Sequence, residues 1–308
     1  MSIQVPEWMV QQYGSTVYHL CQQKGSKLRR AVRVETITGK NGFFDQLGST
    51  AARRRTSRHS DTPRMDTPHS RRRVSTVDID WADLIDSEDK VKMLADPTSA
   101  YAEAAAMAMG RAIDDEILAA VDADAYTGET GSTAVSYSTT MDVAVDAVWP
   151  GVTPAASGLN VAKLIEAGRL LSSGNVDPDE PRWLVIDAAA TASLMKDTRV
   201  NSHDYNSLKP LTDGQIVKYY GFNFLPTERT LLYSAGVKKL PFWAGGPGTC
   251  GMLLGVAKDI SAKITERADK NYATQVFTNM VLGATRMEEA RVGRILCDID
   301  GGPEGNLD

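Results

Sequence analysis

Eight arginines lie within residues 53–73: Arg53, Arg54, Arg55, Arg58, Arg64, Arg71, Arg72 and Arg73. A guanidinium group stays charged and presents a planar fork of N–H donors that fits a carboxylate or a phosphate. Directly downstream, VDIDWADLIDSED carries Asp78, Asp80, Asp83, Asp86, Glu88 and Asp89. Set against Asp61 and Asp66, the eight arginines leave residues 53–73 at +6 with histidine neutral, and residues 78–89, with six acids and no base, stand at −6. Two chemistries fit. The arginines can neutralise a phosphate backbone without reading its sequence. However, no aromatics are interleaved for base stacking, and the acids follow at once. The preferred reading is therefore a protein–protein clamp. In it, Arg53, Arg54, Arg55, Arg58, Arg71, Arg72 and Arg73 of one copy meet Asp83, Asp86 and Glu88 of another.

No pattern nominates a catalytic, cofactor or metal site. Gly246, Gly248 and Gly251 in GPGTCG fit G-x-G-x-x-G, but Pro247 interrupts them and the next residues read as strand. Too little chain follows to build a dinucleotide fold, so a glycine-rich turn between strands is expected. Phosphate-loop, nucleophile-elbow, H-E-x-x-H and C-x-x-C signatures are missing. Asp114, Asp115 and Glu116 could make an acid–base pair, but such runs are usually a solvated helix face. The three cysteines, Cys21, Cys250 and Cys297, are scattered, which suits a reducing compartment. The four histidines include no pair at ligand spacing. A net charge of −5 excludes a surface given over to nucleic acid. With no signal-like N-terminus and no run of about 18 apolar residues, the expectation is a soluble, cytoplasmically made protein without membrane contact.

The elements that must position these groups read as follows. Met9, Tyr13, Val17 and Leu20 mark a helix over 7–23, packed on its own core or docked as an arm on a neighbour. Residues 39–76, rich in Ser, Thr and Arg and poor in aliphatics, cannot bury enough apolar surface to fold alone and read as a structureless loop. Asp96-Pro97 opens a long helix in which Met109, Ile113, Ile117 and Val121 form one apolar face. About 25 residues at 1.5 Å each give a rod of roughly 37 Å. A second helix spans 159–172, with Val161, Leu164, Ile165 and Leu171 inward. RWLVI is a buried strand, and Asp187 caps the helix after it. QIVKYY and FNFLPTE form a strand pair. Residues 250–300 turn β-rich through GMLLGVA, DISAKIT, YATQVFTNMVLGATRM and RVGRILCDI. Strands near both ends of a helix-containing middle predict an α+β fold, with a discontinuous domain closed by the C-terminal strands.

This order of parts resembles the major capsid proteins of tailed bacteriophages, whose fold is shared with encapsulins and the herpesvirus capsid floor. GRAIDDEIL, LNVAKLIEAGRLL, RWLVIDAAATASLMKDTRVNSHDYN, DGQIVKYYGFNF and DKNYATQVFTNMVLGATRMEEARVGRILCD carry the resemblance, which covers roughly 80–300 and is weakest over 36–76. It implies an N-terminal arm at 1–35 and an extended loop at 36–80. A peripheral domain follows at 81–156 with its spine helix at 97–121, then an axial domain at 157–249 and a return to the peripheral domain at 250–308. It further implies a non-enzymatic virion protein that self-assembles in the host cytoplasm into hexamers and pentamers of an icosahedral-type head around double-stranded DNA. A portal, a scaffolding protein on a separate chain and possible decoration proteins would accompany it. The alternatives are an encapsulin-like compartment and a nucleic-acid-binding oligomer that uses the arginine loop.

Overall fold

In the computed structural model, which describes residues 21–59, 61–62, 64–86, 98–197, 200, 217–230, 232–234, 236–246 and 248–299, the chain is a mixed α+β protein. It opens with β1 (Arg33–Thr36), β2 (Asn41–Leu47), β3 (His69–Ser75), β4 (Val77–Ile85) and the long helix α1 (Thr98–Asp122). Next come β5 (Ala125–Thr127), β6 (Thr133–Val135), β7 (Asp142–Val143), α2 (Val161–Ser173), β8 (Arg182–Ile186) and α3 (Ala188–Lys196). It closes with β9 (Lys218–Tyr219), β10 (Phe222–Pro226), β11 (Leu232–Ser234), β12 (Val237–Ala244), β13 (Met252–Arg267), β14 (Ala273–Arg286) and β15 (Val292–Asp298). Most of the expected arm helix, the Asp96-Pro97 opening and Glu88 lie outside the described residues.

Backbone contacts divide the chain into two units, one of 1–26, 78–112 and 258–281, the other of 27–77, 113–257 and 282–308. In the first, the far ends of β13 and β14 are neighbours and β4 lies on the other side of β14. Gly110 on α1 is needed there, because a Cβ would stand 2.5 Å from the backbone carbon of Gly25.

The second unit is built on a seven-stranded sheet in the order β7-β15-β12-β8-β10-β9, with β11 also on β12. Leu164, Ala167 and Leu171 of α2 join Leu184, Phe222, Phe242 and Ile295 of the sheet in one core. Phe222 and Phe242 meet edge-to-face at 6.1 Å. Both expected helix starts are capped as the residue types allow: Asn160 accepts from Lys163 N–H at 2.8 Å, and Asp187 from Ala190 N–H at 2.7 Å. GPGTCG is a turn between β12 and β13, pinned by a bridge between Gly245 and Cys250.

Two expectations are corrected. Residues 39–76 are not structureless. β2 and β3 pair antiparallel from Asn41 opposite Ser75 to Leu47 opposite His69, and β5 and β6 extend the sheet in the order β2-β3-β5-β6. A ladder satisfies backbone groups where apolar burial is scarce, and Phe44 and Val74 anchor the ribbon against Ile37, Leu253 and Met287. The run Asp114–Glu116 is not a solvated face. Asp114 is fully buried, because positions 114, 117 and 121 share a helix face. Its carboxylate accepts from the N–H groups of Lys27 and Leu28, both at 3.1 Å. β15 pairs with β12 from Val237 opposite Asp298 to Trp243 opposite Val292, so the closing strand belongs to the sheet of β8 and β10. Strand partners this distant in sequence are set by tertiary pairing, which element order does not reveal.

Candidate assembly interface

The arginine tract is split by strand geometry. Successive side chains on a strand point to opposite faces, so Arg71, Arg72 and Arg73 on β3 do not form one patch. Arg72 turns inward: its Nε donates to Met287 O at 3.0 Å and its guanidinium pairs with Glu289 at 3.1 Å. Arg71 and Arg73 turn outward. Arg71 pairs with Asp45 of β2 at 2.6 Å and lies over the Phe43 ring, while Arg73 lies 4.5 Å over Tyr126. The hydrogen bond from Arg71 holds the Asp45 carboxyl below its ordinary pKa.

Beyond the ribbon the chain leaves as a loop. Gly48 N–H adds one last rung to Pro68 O at 2.8 Å, and every described residue from Gly48 to Ser70 is exposed. Arg55 Nε donates to Ser57 O at 2.9 Å, and Arg64 lies 3.7 Å from Asp66 with both side chains over nine-tenths exposed. Among the described residues, Arg53, Arg54 and Arg58 make no ion pair. On β4, Asp83 is half-buried and accepts from Leu84 N–H at 2.8 Å, and Asp86 beyond it is exposed.

A second set of charges, not anticipated from sequence, is buried in the larger unit. Arg286 at the end of β14 has no exposed side-chain surface. It donates to the carbonyls of Ala120, Val121 and Ala123 at the end of α1, to Val135 O, and to Glu289 at 3.0 Å. The orphan carbonyls of a long helix thus end on one guanidinium, where the macrodipole also favours a cation. Glu289 bridges Arg286 and Arg72. Arg294 forms a two-pronged pair with Asp142, reaches Asp122 at 2.8 Å and lies 4.0 Å over Tyr137. Burial opposes the charge on Arg294, but the hydrogen bonds to Asp142 and Asp122 outweigh it and hold the pKa above the ordinary value. Tyr137 is pushed up by burial and by Asp142, to which its hydroxyl donates at 2.8 Å. Lys163 is fully buried, donating to Ser157 O at 2.6 Å and Leu296 O at 2.9 Å, with Cys297 Sγ at 4.0 Å. Burial lowers the Lys163 pKa and pushes the Cys297 thiol up to about 11. Arg286 and Arg294 could have been singled out as charges inside otherwise apolar strand runs. Nothing local names their partners.

Residues 5–299 match the family model described as phage capsid protein. The chain belongs to the phage capsid protein family. The capsid structure of the cyanophage P-SCSP1u superposes with a TM-score of 0.73 at 13% identity, covering 96% of this chain and 95% of that one. The head structure of the Helicobacter pylori bacteriophage KHP40 gives a TM-score of 0.72 at 9% identity, covering 97% and 99%. The capsid of the cyanophage Pam1 gives 0.65 at 13% identity, covering 96% and 98%. No curated protein matches. Identities this low speak for the fold, and the family match makes this a structural capsid protein of the virion that assembles with copies of itself. Neither the compartment nor the nucleic-acid-regulator alternative gains support from these matches. Within the capsid protein, the charges cross-connected by the fold are those of Arg72, Arg286, Glu289, Arg294, Asp122 and Asp142. Of the expected interface residues, Arg53, Arg54, Arg55 and Arg58 are presented outward together, Arg72 is committed inside the chain, and Arg71 and Arg73 rest on ribbon neighbours.

Proposed function

We propose that this capsid protein forms hexamers and pentamers of an icosahedral-type head enclosing double-stranded DNA, with no catalytic activity of its own. In this reading, residues 1–35 are the arm, 36–80 the extended loop, 81–156 the peripheral domain with its spine helix, 157–249 the axial domain and 250–308 the return. A scaffolding protein, a portal and possible decoration proteins take part, and assembly occurs in the host cytoplasm. The observation that carries the proposal is the ribbon of β2 and β3, which holds a loop whose described residues are all exposed and whose Arg53, Arg54 and Arg58 make no ion pair among the described residues. A shell that repeats one contact in every subunit accumulates individually small pairings, each about 0.2–1 kcal/mol when exposed. The loop's partner is an acidic surface of an adjacent copy, with Asp83, Asp86 and Glu88 the first candidates. The second reading, that the same arginines grip packaged DNA, is favoured by the exposure of Arg53, Arg54 and Arg58. Negative-stain imaging of the expressed protein, alone and with its scaffold, tests the proposal. Closed shells or capsomers are expected, and a stable monomer under all conditions overturns it.

A further inference from the structure

Among the described residues, the outer half of β13 has no neighbouring strand on one side. From Lys258 to Arg267 every residue except Ser261 is exposed, although β14 borders the strand on one side. On the other side β1 stops opposite Val256, and no strand among the described residues continues that ladder. Ile260 and Ile264 are 37% and 52% exposed, and strand alternation sets them on one face with Ala262 between them. The Ile260 N–H is held by Asp259 Oδ1 at 2.9 Å, a side-chain cap that a neighbouring strand can displace, and backbone groups without a ladder partner among the described residues, beside apolar side chains, are a template for another strand.

We propose that this edge pairs antiparallel with the same edge of a second copy, about a two-fold axis through Ala262. This deepens the self-assembly reading and rests on it. The argument is self-complementarity, which an isologous contact requires. With Ala262 opposite itself, Ile260 faces Ile264 and Lys258 faces Glu266, each twice, while Asp259 faces Thr265 and Ser261 faces Lys263. No like charges meet, and the stretch 258–266 is used end to end. Centring on Lys263 sets that lysine against itself and Ile260 against Glu266, and centring on Ser261 sets Ile264 against Lys258. Lys258 Nζ donates to Asn279 Oδ1 at 2.8 Å and keeps two further N–H groups for a carboxylate across the seam. Opposite-charge and apolar cross-strand pairs stabilise such a contact, whereas like charges destabilise it.

The test uses the full chain with Cys21→Ser, which removes the exposed thiol, and Ala262→Cys. Opposite residues of antiparallel strands have Cα atoms about 4.5–5.5 Å apart, within the roughly 4.4–6.8 Å a disulfide spans. After mild oxidation of assembled protein, most of the chain should run as a covalent dimer on a non-reducing gel, whereas Thr265→Cys in the same background should stay monomeric. Electron microscopy of the same sample separates the two ideas. Particles without the dimer overturn the seam, and a dimer without particles overturns the shell reading while keeping the seam. A second arm avoids new cysteines. Lys258→Glu should lower particle yield severalfold and Lys258→Glu with Glu266→Lys should restore it, and failure of the double variant to recover overturns the pairing.

Discussion

Replacing Arg286 with methionine keeps the bulk of the buried side chain and removes its charge and all its N–H donors. Four backbone carbonyls then lose their partner, those of Ala120, Val121, Ala123 and Val135, and Glu289 loses one of its two guanidinium partners. A buried acceptor left unpaired costs about 1–3 kcal/mol, but contacts of one group are not additive. The better guide is the cost of breaking a buried ion pair by removing one partner, about 3–5 kcal/mol. At roughly 2–4 °C per kcal/mol for a chain of 150–250 residues, and less for a longer one, the melting midpoint should fall by about 4–10 °C. Urea unfolding of the free subunit measures the change, read as a lower midpoint at unchanged slope. Arg286→Lys should lie between, since an ammonium group has three N–H donors and no planar fork. A loss under about 1 kcal/mol for Arg286→Met would refute the idea that this side chain closes the end of α1.

Charge reversal of Arg53, Arg54 and Arg55 to Glu should block assembly without DNA, and Asp83, Asp86 and Glu88 to Lys in the same chain should partly restore it; normal empty shells that fail only in packaging favour the DNA reading instead. Burial raises the Cys297 thiol to about 11, with Lys163 acting against that rise. Above an unfolded value near 9 the native state therefore holds the extra proton, so this stabilising contribution is intact below pH 9 and is lost as pH climbs toward 11. Cys297→Ala should accordingly narrow its stability difference from the parent by about 2–3 kcal/mol over that window, at 1.36 kcal/mol per unit, and a pH-independent difference in midpoint denies it. A Cβ at Gly293 would stand 2.3 Å from Phe242 Cζ and 2.6 Å from Met141 O, so Gly293→Ala should destabilise by about 1–3 kcal/mol in chemical denaturation.

What depends on neighbours in sequence was legible from sequence. Met109, Ile113, Ile117 and Val121 announced α1 and its buried face through their spacing alone, and Asp187 announced the start of α3 because a cap is made within a few residues. The break between strands at GPGTCG was readable from its glycines and the strand pattern that follows, and the bridge between Gly245 and Cys250 marks it in the fold. The resemblance of ordered segments pointed to the capsid fold for the same reason, since each segment keeps its own local pattern. Tertiary structure alone decided which charges meet. Composition made Arg71–Arg73 look like one cationic patch, yet alternation on β3 and the approach of Glu289 placed Arg72 inside and its neighbours outside. Asp114 looked like part of a solvated run until the N–H groups of Lys27 and Leu28, some 87 residues earlier, were brought to it. The same holds for Arg286 at the end of α1 and for β15 beside β12. Burying a charge or adding a strand is favourable only when a particular distant partner arrives to satisfy it, and the partner's identity is a property of the assembled fold.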